Sequence, residues 1–145
     1  MKIKDFLCKD AVTADLSSTS KKEVIEELVG LLQDAGAIDK KIRGKLIDVL
    51  LARESLGSTA IGQGIAIPHG KCEHVTKLTA ALGVSKKGVE FDALDGEPAH
   101  IFFLLVAPVD SAGPHLKALA RISRLLKDKY YRDNLRSSKN ADEIL

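Results

Sequence analysis

A chain of 145 residues is close to the usual size of one domain and long enough to bury about 68–70% of the surface its unfolded form would expose, which predicts one domain with one core over residues 1–145. Hydrophobic residues make up 45% and charged residues 29%, which excludes the low-apolar profile of a disordered chain. Lys and Arg number 22 against 20 Asp and Glu, and a net charge of +2 leaves no broad basic footprint for nucleic acid.

The start, MKIKDFLCKDAV, has no long apolar segment behind its lysines, and no uncharged apolar run approaches the roughly 20 residues that span a bilayer. The expected location is the cytosol, with no insertion into a membrane. Only Cys8 and Cys72 are present, too few for a disulfide framework, so reduced thiols are expected. Ala11 to Leu16 alternates enough to predict a strand, which Ser17 to Ser20 stops. A helix follows. Ser20 and Glu23 form a capping box, Val24, Leu28, Leu31 and Ala35 recur at helical spacing, and Gly36 is placed for the C-terminal cap. Asp39 can cap a second helix with Ile42, Leu46, Val49 and Leu50 facing one way, and that helix delivers Arg53 at its C-terminal end.

The segment Gly57 to Gly70, GSTAIGQGIAIPHG, contains four glycines that let backbone N–H groups approach an anion. Within it Ile65 to Ile67 suit a short strand, and Pro68, having no N–H to donate, is expected to end the ladder and put His69 at a strand end. Such ends are where α/β folds commonly bind ligands, although a glycine cluster can also be only a tight loop. Leu78 to Val84 and His100 to Ala107 read as strands bounded by the turns Lys87-Gly88 and Asp95-Gly96. The second has no polar residue after His100, which calls for cover on both faces.

Gly113-Pro114 opens a helix from His115 to about Lys129, with Leu116, Leu119, Ile122, Leu125 and Leu126 on its buried side. Tyr130 to Ser138 and Ala141 to Leu145 read as two further short helical pieces. The residues thus predict an α/β protein with a mixed sheet and helices on both sides.

Three groups are candidates to meet: His69, His115 in a first helical turn, and Arg53. Phosphoryl transfer through a loose transition state asks for positioning more than covalent help, so a nucleophilic imidazole, a guanidinium fork and an electropositive helix start make a sufficient set without a metal. An unperturbed imidazole is about 90% neutral near pH 7.5, so His69 needs no partner base. Taken singly, His115 reads more readily as a surface histidine, and Arg53 as a dipole partner, than as a functional group. Competing motifs are thin. HGKCEH, His69 to His74, groups two histidines with Cys72 but lacks a fourth metal ligand at matching spacing, and Cys72 as a nucleophile would need a facing histidine. No Walker A loop or complete G-x-G-x-x-G is present, which argues against ATP or a dinucleotide as cofactor. His74 reads as a solvated loop histidine and His100 as a strand-edge one.

ARESLGSTAIGQGIAIPHGK, Ala52 to Lys71, resembles the active-site signature of the IIA components of the bacterial phosphoenolpyruvate-dependent sugar phosphotransferase system, in the fructose/mannitol class and especially its nitrogen-regulatory branch. FDALDGEPAHIFFLLVAP, Phe91 to Pro108, and HLKALARISRLLKD, His115 to Asp128, are also similar to that family, in order and at similar spacing. The resemblance implies a single EIIA type-2 domain, folded as a three-layer α/β/α sandwich with a central mixed sheet. It implies that His69 accepts a phosphoryl group from an HPr-type phosphohistidine carrier, with His115 and Arg53 in support and no cofactor or metal. Sugar-transporting members of the family pass the group to a IIB cysteine, whereas nitrogen-regulatory members bind and regulate target proteins. A chain without fused IIB or membrane modules favours the regulatory role over a fructose or mannitol IIA subunit, and a non-catalytic binding domain on the same fold is the remaining alternative.

Overall fold

A computed structural model describes residues 3–73, 75–93, 95–110, 112–140 and 144. Six strands form one mixed sheet: β1 (Leu7–Thr13), β2 (Ala60–Gly62), β3 (Ile65–Ala66), β4 (His69–Lys71), β5 (Thr79–Val89) and β6 (Ala99–Ala107). Among the described residues four α-helices accompany it: α1 (Lys21–Asp34), α2 (Arg43–Ser55), α3 (Ala112–Leu125) and α4 (Lys129–Ser137). The strand order is β1-β5-β6-β3-β2, with β4 also on β6. β5 and β6 run antiparallel, while β1 on β5, and β3 and β4 on β6, are parallel.

β6 is the centre of the molecule, and its apolar run has the expected cover on both faces. Phe102, Leu104 and Val106 point into a cluster with α1 and α2, and Ile101, Phe103 and Leu105 into another with α3 and α4. All six are fully buried. At about 1.5–3 kcal/mol for each large apolar side chain, this strand alone ties the three layers together.

α1 begins as its sequence predicts. Ser20 Oγ accepts from the Glu23 N–H at 3.3 Å and donates to Glu23 Oε1 at 2.9 Å. At the other end Gly36 N–H bonds to Gln33 O and Ala37 N–H to Leu32 O, the paired closure of a Schellman motif. Asp39 caps a short 3-10 turn, Lys40–Ile42, that leads into α2.

Several boundaries differ from expectation. β1 begins at Leu7 and ends at Thr13, because a bulged parallel pairing with β5 needs no strict alternation, and the Thr13 hydroxyl takes the Asp15 N–H where the ladder stops. Leu16 N still bonds to Val84 O. Lys87-Gly88 is a bulge inside β5 rather than its end: the register shifts between Val84 and Val89, Gly88 has φ +87°, and its N–H donates to Ser85 Oγ. His100 lies within this feature instead of at a sheet edge, half-buried, donating from Nδ1 to Ser85 O at 2.9 Å. α3 stops at Leu125, and Asp128 caps α4 by accepting from Tyr130 N and Tyr131 N. The helical piece expected over Ala141 to Leu145 falls outside the described residues apart from Ile144, which is buried.

Pro68 does not end the ladder. β3 and β4 keep the same offset along β6, Ala66 opposite Phe102 and His69 opposite Leu105, and Pro68 O accepts from Leu105 N at 2.9 Å. A proline withholds a donor but not an acceptor, so the strand pauses and resumes at His69. Gly70, next in chain, packs directly against α2: a Cβ there would lie 2.9 Å from Val49 Cγ1 and 3.5 Å from Leu50 Cδ2. Gly70→Ala is expected to push α2 outward and lower stability by about 1–3 kcal/mol in urea unfolding. An unchanged midpoint would mean that α2 yields freely and that the contact fixes nothing.

Candidate functional site

His69, the first residue of β4, is half-buried, and its Nδ1 lies 2.7 Å from the carbonyl oxygen of Ile67. A carbonyl only accepts, so the neutral ring carries its proton on Nδ1 and leaves Nε2 bare. Burial pushes the imidazole below its ordinary pKa of 6.5; the bond to Ile67 opposes this, the Arg53 charge adds to it and the Glu54 charge counters it. The residue is thus a neutral imidazole with one nitrogen available.

His115 faces it. The two rings meet edge to face, with centroids 5.5 Å apart and planes at 85°. His115, Ala118, Ile122 and Leu126 form one buried stripe along α3 and just past its end, so the imidazole occupies the first position of an apolar row. Leu116, expected on that face, is instead 67% exposed, because its neighbour His115 turns inward. Among the described residues neither ring nitrogen of His115 has a hydrogen-bond partner, although the residue is only 5% exposed. Burial first, then His69 and Lys71, push its pKa down to about 4. Two unpartnered polar atoms in a buried ring need a reason, and an incoming anion beside His69 would supply one. The site also lies at the start of α3, where helix N–H groups give a positive end.

Arg53, in the last turn of α2, reaches back to the loop that follows its helix and donates from Nη1 to Gly57 O at 2.8 Å. Its charge acts on His69, whose ring is in contact with that of His115.

The glycine run does not act as one cradle. Gly62, Gln63 and Gly64 form the tight turn between β2 and β3, all with positive φ, and Gln63 N–H is taken by Asp95 Oδ2 at 3.0 Å. At about 3.3 Å per residue, four residues of strand put Ile65, and the turn beyond it, roughly 13 Å from His69. Cys72 is buried against the α1 and α2 side, and His74 lies outside the described residues. No group of three or more His, Cys, Asp or Glu side chains suited to a metal ion occurs among the described residues.

One part of the site escaped the sequence reading. Glu54, 7% exposed, accepts from the Thr59 hydroxyl and from Thr59 N at 3.3 Å, and pairs with Lys21 Nζ at 3.2 Å. Lys21 also pairs with Asp92 at 3.1 Å and sits 4.8 Å above the Phe91 ring. Ser58 Oγ donates to Phe91 O and accepts from Ala60 N. The signal was there to find: Leu46, Leu50 and Glu54 are spaced by four, so the carboxylate continues the buried face of α2.

Over 144 residues the chain is 38% identical to a nitrogen regulatory protein of Bradyrhizobium diazoefficiens, covering 99% of this chain and 92% of that protein. It is 39% identical over 145 residues to the fructose-specific EIIABC component of a phosphotransferase system in Bacillus subtilis, of which it spans only 22% of the length. The crystal structure of nitrogen regulatory protein IIA-Ntr from Neisseria meningitidis superposes with a TM-score of 0.88 at 34% identity, covering 98% of this chain and 95% of that one. No helix among the described residues is long and apolar enough to cross a membrane. Residues 5–145 match the family described as phosphoenolpyruvate-dependent sugar phosphotransferase system, EIIA 2, and the chain belongs to that family.

Proposed function

We propose that this chain carries a phosphoryl group on Nε2 of His69, accepted from an HPr-type phosphohistidine protein, and that its phosphorylation state regulates other proteins. The observation that carries this reading is the pair of histidines: a bare Nε2 on one ring beside two unpartnered nitrogens on the other.

In the transfer, the Nε2 lone pair forms the new N–P bond as the donor's N–P bond breaks and its electron pair returns to the donor imidazole. His69 keeps its Nδ1–H, so the phosphorylated ring carries a positive charge held against the Ile67 carbonyl, and the donor ring leaves as neutral imidazole when its far nitrogen bears a proton. Two groups are in reach of the charge that arrives. His115 can present an N–H to a phosphoryl oxygen, and Arg53 adds a fixed cation that also steers the dianion to this end of the sheet. Exposed apolar side chains follow closely in chain from these elements, Leu56 after Arg53, Val109 after β6 and Leu116 after His115, and would meet a protein partner rather than a small ligand.

The regulatory outcome is favoured by the close likeness to IIA-Ntr over nearly the full length of both chains. The fructose-specific relative at similar identity supports the second reading, a sugar-specific IIA subunit that hands the group to a IIB cysteine. Efficient transfer from the phosphorylated chain to one IIB domain would establish that second reading and displace the first.

With phosphoenolpyruvate, its phosphotransferase and an HPr-type carrier, the protein should gain the mass of one phosphoryl group, and His69→Ala should gain none. His115→Ala and Arg53→Lys should still accept the group but about ten- to a hundredfold more slowly in a time course. Complete loss in His115→Ala, equal to that in His69→Ala, would contradict the division of roles.

The pH behaviour follows from the two imidazoles. In the unfolded chain His115 binds a proton near pH 6.5, whereas in the folded chain it does so only near 4. The unfolded state therefore binds more protons in that window, and stability is full above pH 6.5 and declines as the pH falls toward 4. Denaturant titrations should show this decline, flattened in His115→Phe; an equal slope in both proteins would mean that His115 is not held neutral. On phosphorylation, the dianion should raise the His115 midpoint by more than about one unit in an NMR titration. No movement would place His115 outside the phosphoryl shell.

A further inference from the structure

Glu54 and Thr59 are buried beside the site, with Lys21 half-buried at their edge, yet no step above uses this cluster. Its hydrogen bonds run in an unbroken line to the reacting ring. Glu54 holds Thr59 twice, through the side-chain hydroxyl and through the backbone N–H at 3.3 Å. Thr59 O accepts from Ile67 N at 3.1 Å. Ile67 O in turn accepts from His69 Nδ1 at 2.7 Å. Lys21 anchors the outer end by pairing with Glu54 at 3.2 Å.

The geometry points to Glu54 and Thr59 as positioning residues that, acting through Ile67, keep His69 in the Nδ1-protonated tautomer and aim its Nε2. This rests on the reading of His69 as the phosphoryl acceptor. Three physical facts support it.

First, among the described residues the Ile67 carbonyl is the partner that fixes the ring, so any displacement of Ile67 releases the proton to either nitrogen. Second, Gly64 and Pro68 turn their carbonyls to β6, so by strand alternation Ile67 faces the other side and its N–H depends on Thr59 rather than on the central strand. Third, the Glu54 side chain is 3% exposed and bonded to both groups of Thr59, so removing one partner leaves buried charge poorly satisfied and shifts the loop. Arg53, the next residue on α2, grips the same loop at Gly57, so two adjacent side chains fix the segment at both ends.

The test compares Thr59→Val, which keeps shape and loses the hydroxyl, with Thr59→Ser, which restores it. Two readouts are taken on the intact chain. Long-range 1H–15N spectra of the unphosphorylated protein report the His69 tautomer, and single-turnover acceptance from the HPr-type carrier reports the rate. The wild type should show one neutral tautomer with Nε2 unprotonated. Thr59→Val should show a mixture and accept the group about ten- to a hundredfold more slowly, and Thr59→Ser should recover both properties. A purely structural role would lower thermal stability without moving the tautomer.

Lys21→Met loosens the chain from its outer end and should shift the same spectrum in the same direction, and it decides the matter if Thr59→Val does not fold. A single Nδ1-protonated tautomer in either folded variant, with wild-type rate, overturns the proposal. The spectrum needs no phosphoryl donor. A wild-type chain that accepts no phosphoryl group would therefore sink the carrier reading, while the positioning of the ring stands or falls on the tautomer alone.

Discussion

The hydrogen bond from His69 Nδ1 to the Ile67 carbonyl decides which nitrogen of the ring meets solvent, and the rest of the site is arranged around that choice. It can form because the strand carrying His69 pauses at Ile67 and Pro68 and then resumes in the same register, leaving one carbonyl turned toward the ring two residues on. A continuous strand would commit that carbonyl to its neighbour. A loop would leave the ring free to rotate. The interrupted strand gives the stiffness of a sheet and the local freedom of a turn at a single residue.

Electrostatics then follow from burial. Both imidazoles are held below their ordinary pKa, His69 chiefly by desolvation and His115 to about 4 by desolvation and its neighbours. Two rings 5.5 Å apart that are both neutral avoid the repulsion two cations would feel, and they leave a lone pair on His69 for phosphorus and an N–H on His115 for a phosphoryl oxygen. The unpartnered nitrogens of His115 cost stability in the resting protein, since a buried polar group without a partner is unfavourable by about 1–3 kcal/mol. That cost is offset by a core of six fully buried β6 residues shared between two helical layers, which makes a strained polar pair tolerable at the end of the sheet.

Much of this was legible in the sequence, for local reasons. The capping box at Ser20, the uninterrupted apolarity of β6 and the histidine in the first turn of α3 are each written in adjacent residues, and the His69 and His115 rings do meet, with the Arg53 charge acting on His69. What was not legible depends on contacts between distant segments. The proline at 68 looked like a stop because its missing donor is visible in sequence, while its acceptor role depends on Leu105. The glycines at 62 and 64 looked like an anion cradle, but pairing with β6 carries them to the far end of the strand. Leu116 read as core because leucine usually is; the imidazole before it took the inward position. The bulge at Gly88 and the buried Glu54 were hidden for the same reason: a polar residue inside a fold is explained only by its partner, here Ser85 and Thr59.

Membership of the EIIA 2 family and the likeness to both regulatory and sugar-specific relatives leave the first chemical step common to either role. The most direct test of the account is therefore the position of phosphorus on the ring. The 15N-labelled chain, phosphorylated through the HPr-type carrier, should show phosphorus–nitrogen coupling to Nε2 of His69, with the proton retained on Nδ1. Phosphorus on Nδ1, on another side chain, or nowhere in the protein would contradict it.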